Sequence, residues 1–244
     1  MNRLFLYPQE IANLDDDSTV VIHDPTRTAH VLEILKAEVG DDIKIVAINQ
    51  GLGMARILAI NEKTLKLKLF PISDAPTAKF SDEIWVGACR PQTVKKIFEY
   101  ATSMGVAKIR FFKAELSEKS YLTSKIFESP NQEHHLALGL AQSGIYFKMP
   151  EVVVSPYFPT NPPDSPAFLF SISERQNLFS QNLPTLQQST TLVFGPERGL
   201  TVEEEARFLQ MGMTPINIHP SILRIEVALI SALSQLHARR SFLA

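Results

Sequence analysis

The sequence predicts an α/β protein of two domains. After residue 83, short apolar runs alternate with helix-forming segments, and repeated β-α units of this kind build a mostly parallel sheet with helices on both faces. Residues 1–70 carry β-branched or alternating runs instead. Between them, "PISDAPTAKFSDE" (71–83) has two prolines and few apolar residues, which is typical of a linker. We therefore predict a β-rich domain over residues 1–72 and an α/β domain over residues 73–244.

The composition is that of an ordinary globular protein. The 244 residues are 45% hydrophobic and 20% charged, with a net charge of −2. This balance does not indicate nucleic-acid binding, although it is compatible with a small basic patch. The single cysteine, Cys89, can form neither an internal disulfide nor a cysteine metal cluster. Because no apolar run approaches the roughly 20 residues that span a bilayer and none suits a signal peptide, we expect a cytoplasmic protein.

Four segments of the first domain have strand composition: 18–24, 42–49, 51–61 and 64–70. The last alternates strictly, so its leucines face one side while Lys66 and Lys68 face the other. These lysines either contact phosphate or form a solvated face. Residues 27–41 are predicted to form one helix that ends near Gly40.

Strand and helix segments alternate through the second domain. The predicted strands are 84–90, 108–114, 151–158, 167–173, 190–196 and 214–220. The predicted helices are 91–106, 129–144, 201–212 and 226–240. The series predicts a parallel sheet, at whose carboxyl edge ligands commonly bind.

The most informative stretch is "TTLVFGPERGLTVEEEARF", residues 190–208. A short apolar strand leads into the loop 195–199, and a helix N-terminus follows in which Thr201 and Glu204 form a capping box. Glycines let a ligand approach the backbone closely. The loop matches neither a P-loop nor a dinucleotide fingerprint. It is therefore either a ligand cradle or a plain β-α turn.

A second stretch, "INIHPSILRIEVALISAL" (216–233), contains a strand ending at Ile218, an irregular loop and a helix beginning near Glu226. Arg224 stands at the head of this helix, where the helix dipole disfavours a cation. An anionic ligand or partner would explain the arginine, and a plain surface position is the alternative. The apolar residues of the helix body are typical of core or subunit packing.

These two stretches resemble motifs of the RsmE family, the 16S ribosomal RNA uridine-N3 methyltransferases. "GPERG" is similar to the family's Gly-Pro-Glu-Gly-Gly loop, and "IHPSILRIEVA" is similar to its Leu-Gly-x-Arg-Ile-Leu-Arg-x-Glu-Thr-Ala segment. Three further segments resemble family motifs in the same order: "AHVLEILKAEVGDDI", "ATSMGVAKIRFF" and "LAQSGIYFKMPEV". The resemblance covers nearly the whole chain.

The resemblance implies an N-terminal PUA-like β-barrel that binds RNA, followed by a SPOUT-type methyltransferase domain with a deep trefoil knot. It implies S-adenosyl-L-methionine as cofactor, 16S ribosomal RNA or the small ribosomal subunit as substrate, and a homodimer. No metal is expected, because methyl transfer from a sulfonium requires orientation for in-line attack.

The resemblance also implies site residues. The cofactor-binding positions would be Leu169, Phe170, Gly195, Pro196, Glu197, Arg198, Gly199, Ile218, Ile222 and Leu223. Arg224 would be catalytic, because uridine N3 must lose a proton and a cation can stabilise the charge left on O2 and O4. Glu197 and Glu226 are candidate bases, with capping or backbone anchoring as the alternative for each. The RNA-binding positions would be Lys36, Lys66, Lys68 and Lys119.

Five positions depart from the family pattern. Arg198 and His219 replace glycines, Ser221 replaces an arginine, Val227 replaces a threonine and Lys36 replaces an arginine. If position 198 requires a positive φ, arginine there costs about 1 kcal/mol or more. We hypothesise that Arg198 points outward and binds RNA phosphate. Two alternative functions are an RNA-binding protein of the same fold with weak or lost cofactor binding, and a nucleotide- or phosphate-binding α/β enzyme unrelated to methylation.

Overall fold

Two separate sheets organise the chain. The computed structural model describes residues 3–12, 14, 17–74, 81–171 and 188–242. The chain groups into two units, one of Met1–Thr77 with Ala137–Met149 and the other of Ala78–Leu136 with Pro150–Ala244. No sequence signal indicated that residues 137–149 group with the first unit, and the contiguous division at residue 72 stays a prediction.

The first unit contains a five-stranded sheet. Its strands are β1 (Leu4–Leu6), β2 (Thr19–Ile22), β3 (Asp42–Ala47), β4 (Gly51–Ile60) and β5 (Leu65–Leu69). Their spatial order is β1-β3-β4-β5-β2; β1 pairs with β3 in parallel, and the other pairs are antiparallel. The leucines of β5 are buried while Lys66 and Lys68 are exposed, as the alternating sequence predicts.

The helical segment of the first unit begins and ends earlier than predicted. Helix α1 spans Pro8–Ala12, and α2 spans Pro25–Ala29 before the chain continues as a π-helix over His30–Ile34. The start is set by Asp24, whose side chain accepts hydrogen bonds from two backbone N–H groups at the beginning of α2. The helical path ends before Lys36, which has a left-handed φ of 52°.

The second unit contains a six-stranded parallel sheet, which confirms the predicted α/β fold. Its strands are β6 (Glu83–Gly87), β7 (Lys108–Phe112), β8 (Glu151–Ser155), β9 (Ala167–Phe170), β10 (Thr191–Phe194) and β11 (Thr214–Ile216). Their order is β11-β9-β10-β6-β7-β8. From β6 the chain moves outward to β7 and β8, whereas β9 and β11 lie on the far side of β10. The junction of β10 and β6 is therefore a topological switch point.

Helices cover both faces of this sheet. They are α3 (Pro91–Ser103), α5 (Val202–Gln210) and α6 (Ile225–Phe242). A further helix, α4 (Ser129–Ser143), begins in the second unit and continues into residues of the first. Neighbouring residues on β7 point to opposite faces: Phe111 packs against Phe98 of α3, and Phe112 packs against Phe208 of α5. In the described ranges, no helix is long and apolar enough to cross a membrane.

Candidate cofactor and substrate site

A cavity of about 410 Å³ lies where the strands β9, β10 and β11 end. Its walls come from residues 170–171 at the end of β9, residues 194–200 at the end of β10, residues between 216 and 223 at the end of β11 and the beginning of α6. Three segments distant in sequence meet here because the carboxyl ends of parallel strands share one edge of the sheet. The capping box predicted for α5 is confirmed, since Thr201 and Glu204 each accept a hydrogen bond from the other's backbone N–H. It fixes the end of the loop.

Most of the predicted cofactor residues line this cavity: Phe170, Gly195, Pro196, Glu197, Arg198, Gly199, Ile218, Ile222 and Leu223. Leu169 does not, because its side chain is buried in the core with Trp85, Val193 and Phe208. Successive residues of a strand face opposite sides, so the side chains of Leu169 and Phe170 cannot both face the cavity.

Sequence reasoning did not assign the remaining lining residues to the cofactor site: Ser171, Phe194, Leu200, Glu205, Ile216, Asn217, His219, Ser221, Ile225 and Ala228. The rings of Phe170 and Phe194 stack with their centroids 4.6 Å apart. The two residues follow the register that pairs Leu169 with Val193. Each is the last residue of its strand. Phe194 could therefore have been assigned to the site from the sequence if β9 and β10 had been known to be neighbours.

Two glycines, one facing the loop 195–199 and one within it, meet different demands. A Cβ atom added at Gly87, the last residue of β6, would lie 2.5 Å from Cδ of Pro196, so glycine is needed for close approach. Gly199 has a left-handed φ of 76°. Arg198 is exposed and is not one of the positive-φ non-glycine residues of the described chain. The strain considered for an arginine at position 198 is therefore absent.

Glu197 anchors the loop to α3. Its Oε1 accepts a hydrogen bond from the backbone N–H of Arg90 at 2.9 Å and another from Oγ1 of Thr93 at 3.3 Å. Arg90 is the N-cap residue of α3, and its own side chain makes no capping hydrogen bond. The carboxylate thus supplies acceptors at the start of this helix, where the dipole favours negative charge. These contacts match the anchoring alternative for Glu197.

The loop after β11 is stabilised by its own polar side chains. Asn217 Oδ1 accepts a hydrogen bond from the backbone N–H of His219 at 2.8 Å. His219 Nδ1 in turn accepts from the backbone N–H of Ser221 at 3.1 Å. From α6, Gln235 donates to the carbonyl of Ile218 at 3.2 Å. His219 and Ser221, two of the departures from the family pattern, therefore shape the cavity wall.

Arg224 and Glu226 lie side by side at the beginning of α6. The carbonyl of Arg224 accepts hydrogen bonds from the N–H groups of Val227 and Ala228, and its side chain is exposed and outside the cavity wall. Glu226 is buried, and its Oε1 accepts a hydrogen bond from Lys96 Nζ at 2.9 Å.

The environment of Glu226 argues against a role as general base. Burial tends to raise the pKa of this carboxyl, but the hydrogen bond from Lys96, a backbone hydrogen bond and the charges of Lys96 and Arg224 outweigh burial and lower the pKa. A carboxylate stabilised in this way is a weak base at neutral pH. Burial, reinforced by the charges of Glu197 and Glu226, raises the pKa of the neighbouring Cys89 thiol well above its usual value.

The predicted RNA-binding lysines are all exposed. Lys36, Lys66 and Lys68 belong to the first unit, and Lys119 belongs to the second. Lys68 lies opposite Arg56 on β4, which adds a cation that the sequence analysis did not select. Arg56 is itself paired with Asp42. The role of these side chains in RNA binding stays a prediction.

Comparison with known proteins places the chain in a family. A family model described as an RNA methyltransferase domain matches residues 78–237. Ribosomal RNA small subunit methyltransferase E 1 of Borreliella burgdorferi is 31% identical over 214 residues, which cover 85% of this chain and 87% of the relative. The chain belongs to the ribosomal RNA small subunit methyltransferase E family. The resemblance inferred from the sequence motifs is thereby confirmed, and the chain is an RNA methyltransferase by family.

A second relative and a solved structure are also similar to this chain. The family protein of Treponema pallidum is 29% identical over 216 residues, covering 85% of this chain and 80% of the relative. A crystal structure of ribosomal RNA small subunit methyltransferase E from Neisseria gonorrhoeae, bound to S-adenosyl methionine, has a TM-score of 0.76 and covers 98% of both chains at 17% identity. At that identity the likeness establishes a common fold.

Proposed function

We propose that this protein transfers a methyl group from S-adenosylmethionine to N3 of a uridine in 16S ribosomal RNA. The observation that carries the proposal is the cavity at the carboxyl edge, because the loop 195–199, on which the family resemblance rests, forms part of its wall. The relatives from Borreliella burgdorferi and Treponema pallidum are named for methylation of small-subunit ribosomal RNA. The Neisseria gonorrhoeae structure contains the same methyl donor.

The residues of the cavity suit this donor. A volume of about 410 Å³ falls within the range of roughly 300–1,000 Å³ that is usual for small-molecule sites. The apolar side chains of Ile222 and Leu223 would line a slot for the adenine, and backbone groups of Ile218 would supply the polar contacts. Gly195 and Gly199 would let the donor lie close to the backbone of the loop.

S-adenosylmethionine, when bound, supplies an electrophilic methyl carbon on a sulfonium. The loop 195–199 would orient that carbon for in-line attack. The hydrogen bonds of Glu197 to α3 would fix the position of the loop. Uridine N3 attacks only after its proton has left. Arg224 would stabilise the negative charge that then spreads over O2 and O4 of the base.

We extend the proposal to the architecture and the setting. The predicted domain over residues 73–244, which contains the parallel sheet, would be a SPOUT-type domain with a deep trefoil knot, supported by the strand order and by the likeness to the Neisseria gonorrhoeae fold. The predicted domain over residues 1–72 would be a PUA-like barrel for RNA, supported by its five-stranded sheet and by exposed lysines. The protein would act as a cytoplasmic homodimer on 16S ribosomal RNA or the small subunit.

Calorimetry and methyl transfer test the proposal together. We expect the parent protein to bind S-adenosylmethionine and to methylate small subunits that lack the modification, with N3-methyluridine identified by mass spectrometry of the nucleosides. An Arg224→Ala variant should keep its cofactor affinity and lose about 100-fold in turnover, as is typical when one charge-stabilising donor is removed. Transfer to another position or another RNA would contradict the proposal.

One alternative has its own support. His219 and Ser221 replace family residues in the cavity wall, and a wall altered in this way suits an RNA-binding protein with weak cofactor affinity. A folded protein that binds 16S ribosomal RNA but not S-adenosylmethionine would establish this alternative.

A further inference from the structure

A salt bridge between α3 and α6 lies beside the proposed site. Lys96 Nζ donates to Glu226 Oε1 at 2.9 Å. The two partners are exposed very differently, because 45% of the Lys96 side chain is accessible and only 10% of the Glu226 side chain. The carboxylate is therefore enclosed while the ammonium group stays within reach of a ligand.

The position of this pair relates it to the cofactor loop. Thr93, which hydrogen-bonds Glu197 of the loop, precedes Lys96 by one helical turn, so both lie on the same face of α3. Glu226 lies between Ile225 and Ala228, which line the cavity. Lys96 of α3 and Arg224 before α6 are therefore both close to Glu226, next to the α6 residues that line the cavity.

The charges of this region favour an anion. Arg90 interacts with Tyr121, Glu118 and Glu197 and is therefore already partnered. Lys96 and Arg224 both act on the single carboxylate of Glu226, which accepts a hydrogen bond from Lys96, so these two cations exceed that carboxylate by one positive charge. Cys89, two residues after β6, also interacts with Glu197 and Glu226, and burial raises the pKa of its thiol so that it stays neutral. A negative charge that forms on a substrate here would meet half-exposed cations.

We propose that Lys96 is a second charge-stabilising residue for the uridine, and that Glu226 is the positioning residue that holds its ammonium group in place. This inference rests on the proposed function. The N3 proton passes to solvent water, and the remaining charge on the base is stabilised at a carbonyl oxygen by Lys96. The N3 electron pair then forms the bond to the methyl carbon, while the carbon–sulfur bond breaks and leaves its pair on sulfur.

The pH dependence of turnover tests this role. At saturating S-adenosylmethionine, we expect Lys96→Gln to lower turnover about 10- to 100-fold at neutral pH with little change in KM for the small subunit. The loss should shrink as the pH rises, because hydroxide then removes the N3 proton without help. Lys96→Arg should restore most of the rate. Glu226→Gln should lower turnover less than Lys96→Gln, because the cation remains but is no longer held in place.

Further variants separate chemistry from folding. Lys96→Gln leaves the Glu226 carboxylate without its partner, which can destabilise the protein. The double variant Lys96→Gln with Glu226→Gln removes both charges. We expect its melting temperature to equal that of the parent, while its turnover stays as low as that of Lys96→Gln. Lys95→Gln, on the same helix, makes the same charge change away from the pair and should behave like the parent. Calorimetry should give the same cofactor affinity for every variant.

A chemically altered substrate gives an independent measurement. Fluorine at C5 makes uridine N3 more acidic, so small subunits that contain 5-fluorouridine should be methylated by Lys96→Gln with much less loss than ordinary subunits. A uniform loss at every pH, or one accompanied by weaker cofactor binding, would overturn the role of Lys96. A parent that binds the cofactor but does not methylate small subunits would overturn the proposed function itself.

Discussion

Helix α6 carries an ion pair near each end, and the two pairs differ in accessibility. Near its beginning, Glu226 pairs with Lys96, whose side chain is 45% exposed. Near its end, Arg240 pairs with Asp82, and both side chains are less than 10% exposed. The first pair leaves a cation available to a ligand beside the cavity. The second pair is buried, so neither of its charges is accessible to a ligand, and it joins α6 to the opposite edge of the sheet.

The Arg240–Asp82 pair is a hydrogen-bonded network. Arg240 Nη2 donates to Asp82 Oδ1 at 2.8 Å, to the carbonyl of Gln188 at 3.0 Å and to Oγ1 of Thr190 at 3.2 Å. Asp82 Oδ1 also accepts a hydrogen bond from the backbone N–H of Thr190 at 2.9 Å. Asp82 precedes β6 and Thr190 precedes β10, so the network fixes the starts of two neighbouring strands. Satisfied polar atoms of this kind specify structure, whereas a half-exposed pair can serve chemistry.

The largest expected effect follows from breaking the buried pair. Asp82→Asn leaves the Arg240 charge without its counterion, and we expect the free energy of unfolding to fall by about 3–5 kcal/mol in denaturant titrations. Glu151→Gln is the control, because its pair with Lys108 is exposed; it should cost less than about 1 kcal/mol. Under conditions in which Asp82→Asn is folded, its affinity for S-adenosylmethionine should equal that of the parent. A large loss of affinity would contradict the view that the ion pair at the end of α6 is structural and separate from the cofactor site.

A smaller and more local effect is expected at the cavity end. Gly87→Ala places a Cβ atom 2.5 Å from Pro196 Cδ and 2.7 Å from its nitrogen, so the loop must shift. We expect about tenfold weaker binding of S-adenosylmethionine by calorimetry, equivalent to about 1.4 kcal/mol. Gly212→Ala is the matched control, since its φ of +83° strains alanine while no atom lies within 4 Å. It should lower stability and leave affinity unchanged; equal affinity losses in both variants would contradict a steric role for Gly87.

The smallest expected effect concerns His237, which lies 3.9 Å from Asp82. Burial lowers the pKa of His237; the charge of Asp82 opposes this effect and the smaller effect of the Arg240 charge adds to it, so that the pKa lies below its usual value. As the pH falls below about 6.5, the unfolded chain therefore binds this proton before the folded chain does, and the free energy of unfolding decreases. In denaturant titrations from about pH 7.5 to about pH 5.5, His237→Gln should show a smaller decrease in the free energy of unfolding than the parent. A steeper decrease in the variant would contradict this sign.

Local sequence patterns predicted much of the site. The apolar run before Gly195, the capping box of Thr201 and Glu204, and the alternation of residues 64–70 all appear in the structure. Each depends on residues within a few positions of one another. The helix predicted over 27–41 failed at its boundaries, because the Asp24 cap and the left-handed Lys36 each override an apolar periodicity that is otherwise helical.

The α/β class, the strand–loop–helix around residues 195–199 and the family follow from local patterns in the sequence. Tertiary structure decided that β10 lies between β9 and β6, and hence that Phe170 stacks on Phe194. It also paired Lys96 with Glu226 and Asp82 with Arg240, across 130 and 158 positions. Such pairs leave no periodic trace in a sequence, because the order of parallel strands depends on long connections whose path is set by packing the whole sheet.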